Sequence, residues 1–315
     1  MENNQTEKKE FKVDVSGIDS NILQKHALLI DVSITKWNNN RQSKKATDSI
    51  KNEFGIDSGY QNKSRVRAYK SAIDPDHLKP LDKICNAFRT YIYQVTLPYN
   101  DTGKRLLSAS LFEKVNEQIR AFKTDFDTEK DNIVENFDTW KNQARHDLNG
   151  LYNDQDYPAV SDLKFKYSHS IDFEPVPSAS SFQVDILEKY ADEIREQLEN
   201  NSNKTLQNAM SDCWRRIYEN VSSLAKKMNE KRIDNKTGQE TAPIFRNSII
   251  ENINELIELL PDLNIINDPQ LESMRKRLQD ELAGIDPKEL RESKESRQEI
   301  AEKAKSILND LDSIF

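Results

Sequence analysis

Between Tyr60 and Ile73 the chain carries Lys63, Arg65, Arg67 and Lys70 with no acidic residue among them, and tyrosines stand at positions 60 and 69. Cationic groups at such short spacing can seat the phosphates of a nucleic acid, and a tyrosine ring can stack on a base. Arg41, Lys44 and Lys45 would extend the same basic ground. The opposing reading is a solvated face of a short basic helix over Asn62 to Ser71, its cations paired with acidic neighbours.

Other chemistry is scarce. Pro98 to Arg105 contains a Gly103-Lys104 pair but neither the first glycine nor the following Ser/Thr of a phosphate loop, so it reads as a turn before a helix. Gly-x-Ser-x-Gly, His-Glu-x-x-His and Cys-x-x-Cys are absent. The histidines, His26, His77, His146 and His169, are scattered over separate segments, and neither Cys85 nor Cys213 has a histidine nearby in sequence. His77 reads as a first-turn helix residue, His146 with Asp147 as a solvated pair, and His169 as a turn residue. Asn153, Asp154 and Asp156 offer oxygen ligands without the glycine and closing glutamate of an EF-hand loop. The expectation is a non-enzymatic protein without metal or cofactor.

The elements that must hold these residues are long. Phe112, Val115, Ile119, Phe122, Phe126, Ile133, Phe137, Trp140, Ala144 and Leu148 recur mostly at three- or four-residue steps, placing them on one helix face. A second stripe runs from Leu187 through Ile194, Leu198, Leu206, Met210, Trp214, Ile217, Val221 and Leu224 to Met228, with a polar dip at Asn200 to Thr205. Between them, Leu163, Phe165 and Tyr167, then Ile171 and Phe173, alternate with polar residues inside proline-rich edges, the pattern of a small β-hairpin. The expected fold is mainly α: a long antiparallel, coiled-coil-like helical hairpin over 105–230 with a β insert at 159–176. An N-terminal helical region at 16–104, a C-terminal helical bundle at 243–315 and a disordered leader at 1–15 complete it. Ala27 to Ile34 stays open between helix and strand. Asp74-Pro75, Asp268-Pro269 and Asp286-Pro287 mark helix starts, with aspartate as cap and proline in the first turn.

Composition agrees with that architecture. Hydrophobic residues make up 36% and charged residues 32% of 315, with only 7 glycines, which suits solvated helices with narrow apolar seams better than an α/β enzyme. A formal net charge of −8 argues against wrapping nucleic acid with the whole surface, though it leaves room for a local basic patch. No apolar run is long enough to span a membrane, the first ten residues lack a secretion signal, and two distant cysteines point to a reducing cytoplasm.

Several segments together carry a resemblance. They are Ile84 to Val95 followed by Thr96-Leu97-Pro98-Tyr99 and Gly103-Lys104-Arg105-Leu106-Leu107; Asp156-Tyr157-Pro158; Pro175-Val176-Pro177-Ser178 with Phe182-Gln183-Val184; and Asn264 to Pro269 with Leu271. Over most of the chain this resembles an uncharacterised family encoded by bacteriophages and related mobile elements, a domain of unknown function. The resemblance implies a non-enzymatic protein of the host cytoplasm, with relatives encoded near AAA+ ATPases or replication genes, and it supplies no catalytic residues. Two expectations follow. The first is an interaction protein that binds a host or phage protein or self-assembles as an oligomer, docking through a tip of Phe165, Tyr167, Ile171 and Phe173. Its acidity would also let it set carboxylates where a nucleic-acid-binding protein expects phosphates. The second is a nucleic-acid-binding accessory to replication or recombination, using Lys63, Arg65, Arg67 and Lys70.

Overall fold

A computed structural model describes residues 10–19, 21–56, 65–100, 103–184, 187–230, 232–233, 240–241 and 246–315. In chain order the elements are α1 (Ile22–His26), β1 (Ala27–Thr35), β2 (Asn40–Gln42), α2 (Lys44–Glu53), β3 (Tyr69–Ser71), α3 (Lys79–Val95), β4 (Thr96–Pro98), β5 (Arg105–Ser108) and α4 (Phe112–Leu148). They continue with α5 (Val160–Leu163), β6 (Ser168–Pro175), α6 (Glu188–Met228), β7 (Arg232–Ile233), β8 (Glu240–Thr241), α7 (Ser248–Leu263), α8 (Pro269–Leu282), α9 (Pro287–Glu292) and α10 (Lys294–Ile314). The protein is mainly α, with a small antiparallel sheet in the order β4-β5-β1-β6. Two compact units divide it. One comprises the chain up to Asp31, Gln94–Glu113 and Phe173–Phe315; the other comprises Val32–Tyr93 and Lys114–Asp172.

In the second unit α4 buries the expected stripe, from Val115 through Phe126 to Phe137. Phe122 stacks on Phe88 of α3 at 4.1 Å, and Trp37 meets Phe137 edge-on at 5.3 Å. The extended segments β2 and β3 pair antiparallel, Arg41 opposite Lys70 and Gln42 opposite Tyr69. Asn39 fastens one end of this ribbon: its amide nitrogen donates to the Ile73 carbonyl and its amide oxygen accepts from the Ile73 N–H, both at 2.9 Å. Asp74 caps the next turn as its spacing predicts, accepting from the Asp76 N–H at 2.9 Å, but that turn is 3-10 (Pro75–Leu78) before α3 begins.

In the first unit the C-terminal half of α6 is the central rod, with α10 and α7 as its main partners and α8 packed on α7 and α10. Trp214, Ile217, Val221 and Leu224 are all buried there. Leu28 and Leu29 of β1 pair with Leu107 and Leu106 of β5, and β5 pairs in turn with β4. Gly103, at a φ of +93°, makes the turn before β5, a conformation that favours glycine. Beneath β4, the buried Asp212 accepts from Arg216 at 2.8 Å, and Arg216 also donates to the carbonyls of Gln94 and Thr96.

Several expectations change. Most of α4 lies in the second unit and α6 in the first, with α4 burying its stripe from Val115 to Phe137 and α6 burying its own only from Leu206 to Met228, so the structure does not bear out the long hairpin expected over 105–230. Leu106 and Leu107 belong to a strand because their partners, Leu29 and Leu28, lie far away in sequence. The insert at 159–176 is not a hairpin: Val160 to Lys166 form α5 and a 3-10 turn, and only β6 is extended. The described part of the basic helix expected over Asn62 to Ser71 is not helical, since 65–68 are irregular and Tyr69–Ser71 is β3. The leader expected over 1–15 has its first nine residues outside those described. From there on it is anchored, with Phe11 and Val13 buried and Phe11 against Tyr218 and Phe315 at 5.6 and 5.0 Å. Pro261 lies inside α7, and the helical run that starts at Asp286-Pro287 is broken into α9 and α10 at Ser293, which caps α10.

Candidate functional site

The basic stretch is sorted by the pleat of the backbone. Ala68 holds the chain extended ahead of β3: its carbonyl accepts from the Ser43 N–H at 2.9 Å, and its N–H donates to Thr47 Oγ1 at 3.0 Å. Exposure then alternates, with Arg65, Arg67 and Tyr69 exposed and Val66, Ala68 and Lys70 partly covered. Successive side chains of an extended chain point to opposite faces, so Arg67 shares the exposed side with Tyr69, Lys70 takes the other, and Arg65 is exposed at the bend before them. Lys63 lies outside the described residues.

On the covered side the cations are already used. Lys70 Nζ pairs with Asp156 at 2.8 Å, their side chains only 8% and 15% exposed, and it also donates to the Leu151 carbonyl. Arg41 Nε donates to the Asp156 carbonyl at 3.0 Å, with the guanidinium 5.2 Å from the Trp37 ring centre. Lys45 Nζ donates to the Gly150 carbonyl at 2.9 Å. These bonds line an open cleft of about 610 Å³ between the first turn of α2 and the 150–156 segment. Lys70, Arg41 and Lys45 thus meet carbonyls and a carboxylate of the 150–156 segment and clamp the ribbon, while Lys44 lines the cleft, exposed, from the first turn of α2. Asp154 belongs to the same loop: Lys141 at 3.0 Å and the Tyr152 hydroxyl at 2.9 Å hold its carboxyl below the usual range. Among the described residues no group of three or more His, Cys, Asp or Glu side chains is gathered to hold a metal ion.

The expected docking tip is dispersed. Phe165 is 74% exposed, with Lys164 Nζ 4.9 Å from its ring centre. Tyr167 is buried, which raises its hydroxyl pKa, and Ile171 is half-buried. Phe173, in the first unit, packs on Phe112 at 5.2 Å. A period of two misled here because Leu163 is buried from the single turn of α5 and Tyr167 from the extended residue that follows the 3-10 turn. His77 stacks flat on Trp140 at 4.3 Å, and His169 lies in β6, not in a turn, with its ring edge-on to Phe126 at 5.0 Å.

One surface was missed by the sequence reading because it sits within an expected seam. From Glu188 to Lys204, about 25 Å of α6, Ala191 is the one buried residue. The row Leu187, Ala191, Ile194, Leu198 continues the apolar stripe over about 16 Å of this length, with Tyr190 beside it; Leu187 is 73% and Tyr190 52% exposed. One residue further round runs the row Glu188, Asp192, Arg195, Glu199, in which Arg195 is paired with Asp192 at 2.8 Å. The polar dip at Asn200 to Thr205 was the available signal: it divides a packed half from an unpacked one.

No family model, curated protein or solved structure matches this chain. Among the described residues no helix is long and apolar enough to cross a membrane.

Proposed function

We propose that this chain is a non-enzymatic helical interaction protein, of the kind its resemblance to a phage-encoded family implies, and that it docks a protein partner on the first half of α6. The observation behind this reading is the apolar row Leu187, Ala191, Ile194 and Leu198, about three turns of helix in which Leu187 and the neighbouring Tyr190 are exposed, Ile194 and Leu198 half-buried and Ala191 alone buried, while residues 205–228 of α6 are packed. A soluble helix gains its stability from burying such a stripe, so an uncovered one marks a contact surface.

Its border names the partner's chemistry. Glu188 and Glu199 flank the row without an ion pair among the described residues, and Arg195 is engaged by Asp192. The occupant is a partner helix with its own apolar stripe edged by Lys or Arg. A second copy fits less well, because a parallel pairing opposes Glu188 to Glu188 and an antiparallel one opposes Glu188 to Glu199.

The test is titration of the intact protein with a helical Leu/Lys amphipathic peptide and with its Leu/Glu counterpart. The Leu/Lys peptide should bind, weaken as salt rises, and lose its site in the Leu187→Asp, Tyr190→Asp double variant, whose changes fall on exposed positions. Equal binding of both peptides, or unaltered binding to the variant, would refute the reading. Self-association that disappears in the variant would replace the partner with a second copy.

A further inference from the structure

We infer that the outward face of the β2–β3 ribbon is a binding site for single-stranded nucleic acid, with Arg65 and Arg67 on successive phosphates and Tyr69 stacked under a base. This site is separate from the α6 surface and stands whether or not that surface binds a partner.

The face has the composition such a site requires. Tyr69 is 61% exposed although the ribbon has a covered side on which a ring could have been buried. Gln42 is its cross-strand partner and Asn40 lies two residues back, so two exposed side-chain amides share the ribbon with the ring. Amides donate and accept along base edges, and a tyrosine ring stacks on any base. Arg67 precedes the ring by two residues, about 6.6 Å in extended chain and close to the backbone repeat of an extended single strand, and Arg65 stands exposed at a bend two residues before Arg67. Neither guanidinium makes a hydrogen bond or ion pair among the described residues, whereas Arg41, Lys45 and Lys70 are all bonded on the clamp side. From Arg65 to Ile73, and from Asn38 to Ala46, there is no carboxylate.

Charge and stacking both favour a single strand. An open strand can lay its bases on an exposed ring and its phosphates on the arginines beside it, while a duplex keeps its bases stacked inside. The net charge of −8 does not forbid this, because exposed charges beyond about 8 Å are largely screened at physiological ionic strength. Two phosphate contacts predict a modest salt dependence, with log K falling against log salt at a slope of about −1.4.

The experiment is fluorescence anisotropy of a labelled oligothymidylate, single-stranded and as a duplex, at several salt concentrations with the full chain. The single strand should bind in preference to the duplex, with the shallow slope given above. Arg65→Ala with Arg67→Ala should abolish binding. Tyr69→Ala should weaken it about tenfold or more while leaving the salt slope unchanged, and Tyr69→Phe should restore it. Leu187→Asp should have no effect. Absence of binding at low salt, equal affinity for duplex, or undiminished binding in the arginine double variant would each overturn the inference.

Discussion

Lys70 and Arg67 are three residues apart and alike in charge, yet the pleat gives them different tasks. Lys70 is one half of a covered ion pair, and removing one partner of such a pair strands the other, at a cost of about 3 kcal/mol. Lys70→Ala should therefore lower stability by roughly that amount in urea denaturation, whereas Arg65→Ala and Arg67→Ala should stay within about 0.5 kcal/mol of the parent. An equal loss in all three would mean that the outward arginines also hold the fold. The cysteines give a second contrast with their sequence appearance. Burial pushes the Cys213 thiol up to about 12, and its Sγ donates to the Leu263 carbonyl at 3.8 Å; burial raises Cys85 as well. Thiolate is the reactive form, so at pH 8 both should resist alkylation in the native protein and react together on unfolding. Rapid labelling of either in the folded state would contradict this burial. At this scale the sequence revealed residue types but not their sides: a helical reading of Asn62 to Ser71 would have put Arg67 and Lys70 on one face, and an extended one separates them.

Helices were legible wherever a stripe was long enough to declare its period. The buried face of α4 is the one that Val115, Ile119, Phe122, Phe126, Ile133 and Phe137 specify, and α8 begins at the Asp268-Pro269 start signal. Strands were less legible because their partners are remote in sequence. Arg105–Ser108 is too short to show a period, and only its pairing with β1 and β4 makes it a strand. The stripe of α6 gave the right helix and the wrong implication, since apolar spacing shows which residues share a face but not whether anything covers it. That helix should be uneven in stability. Residues 205–228 are packed by α7 and α10, whereas 188–204 bury little and end in Asn200, Asn201, Ser202 and Asn203, all mediocre helix formers. Native-state hydrogen exchange should find amides of 188–204 exchanging far faster than those of 205–228. Uniform protection along α6 would mean that the exposed half is held by something else.

For the molecule as a whole, the chain passes between its two units at residues 31/32, 93/94, 113/114 and 172/173. Each passage lies inside a regular element: β1, α3, α4 and β6 respectively. The two units are therefore each assembled from separate stretches of chain and do not follow contiguous segments such as 16–104 or 105–230. A linker announces itself through proline, glycine or polar runs, and a boundary crossed in mid-strand or mid-helix carries no such mark. The same threading sets an order of events during synthesis. The second unit has all its residues once Asp172 has been made. The first unit must wait: Leu29, Leu106 and Leu107 emerge early, but α6 and the helices that pack on it are translated only afterwards. A ribosome making this protein thus holds for a time a nascent chain with one unit complete and three short strands of the other still uncovered, the stage at which a chaperone would find most to hold.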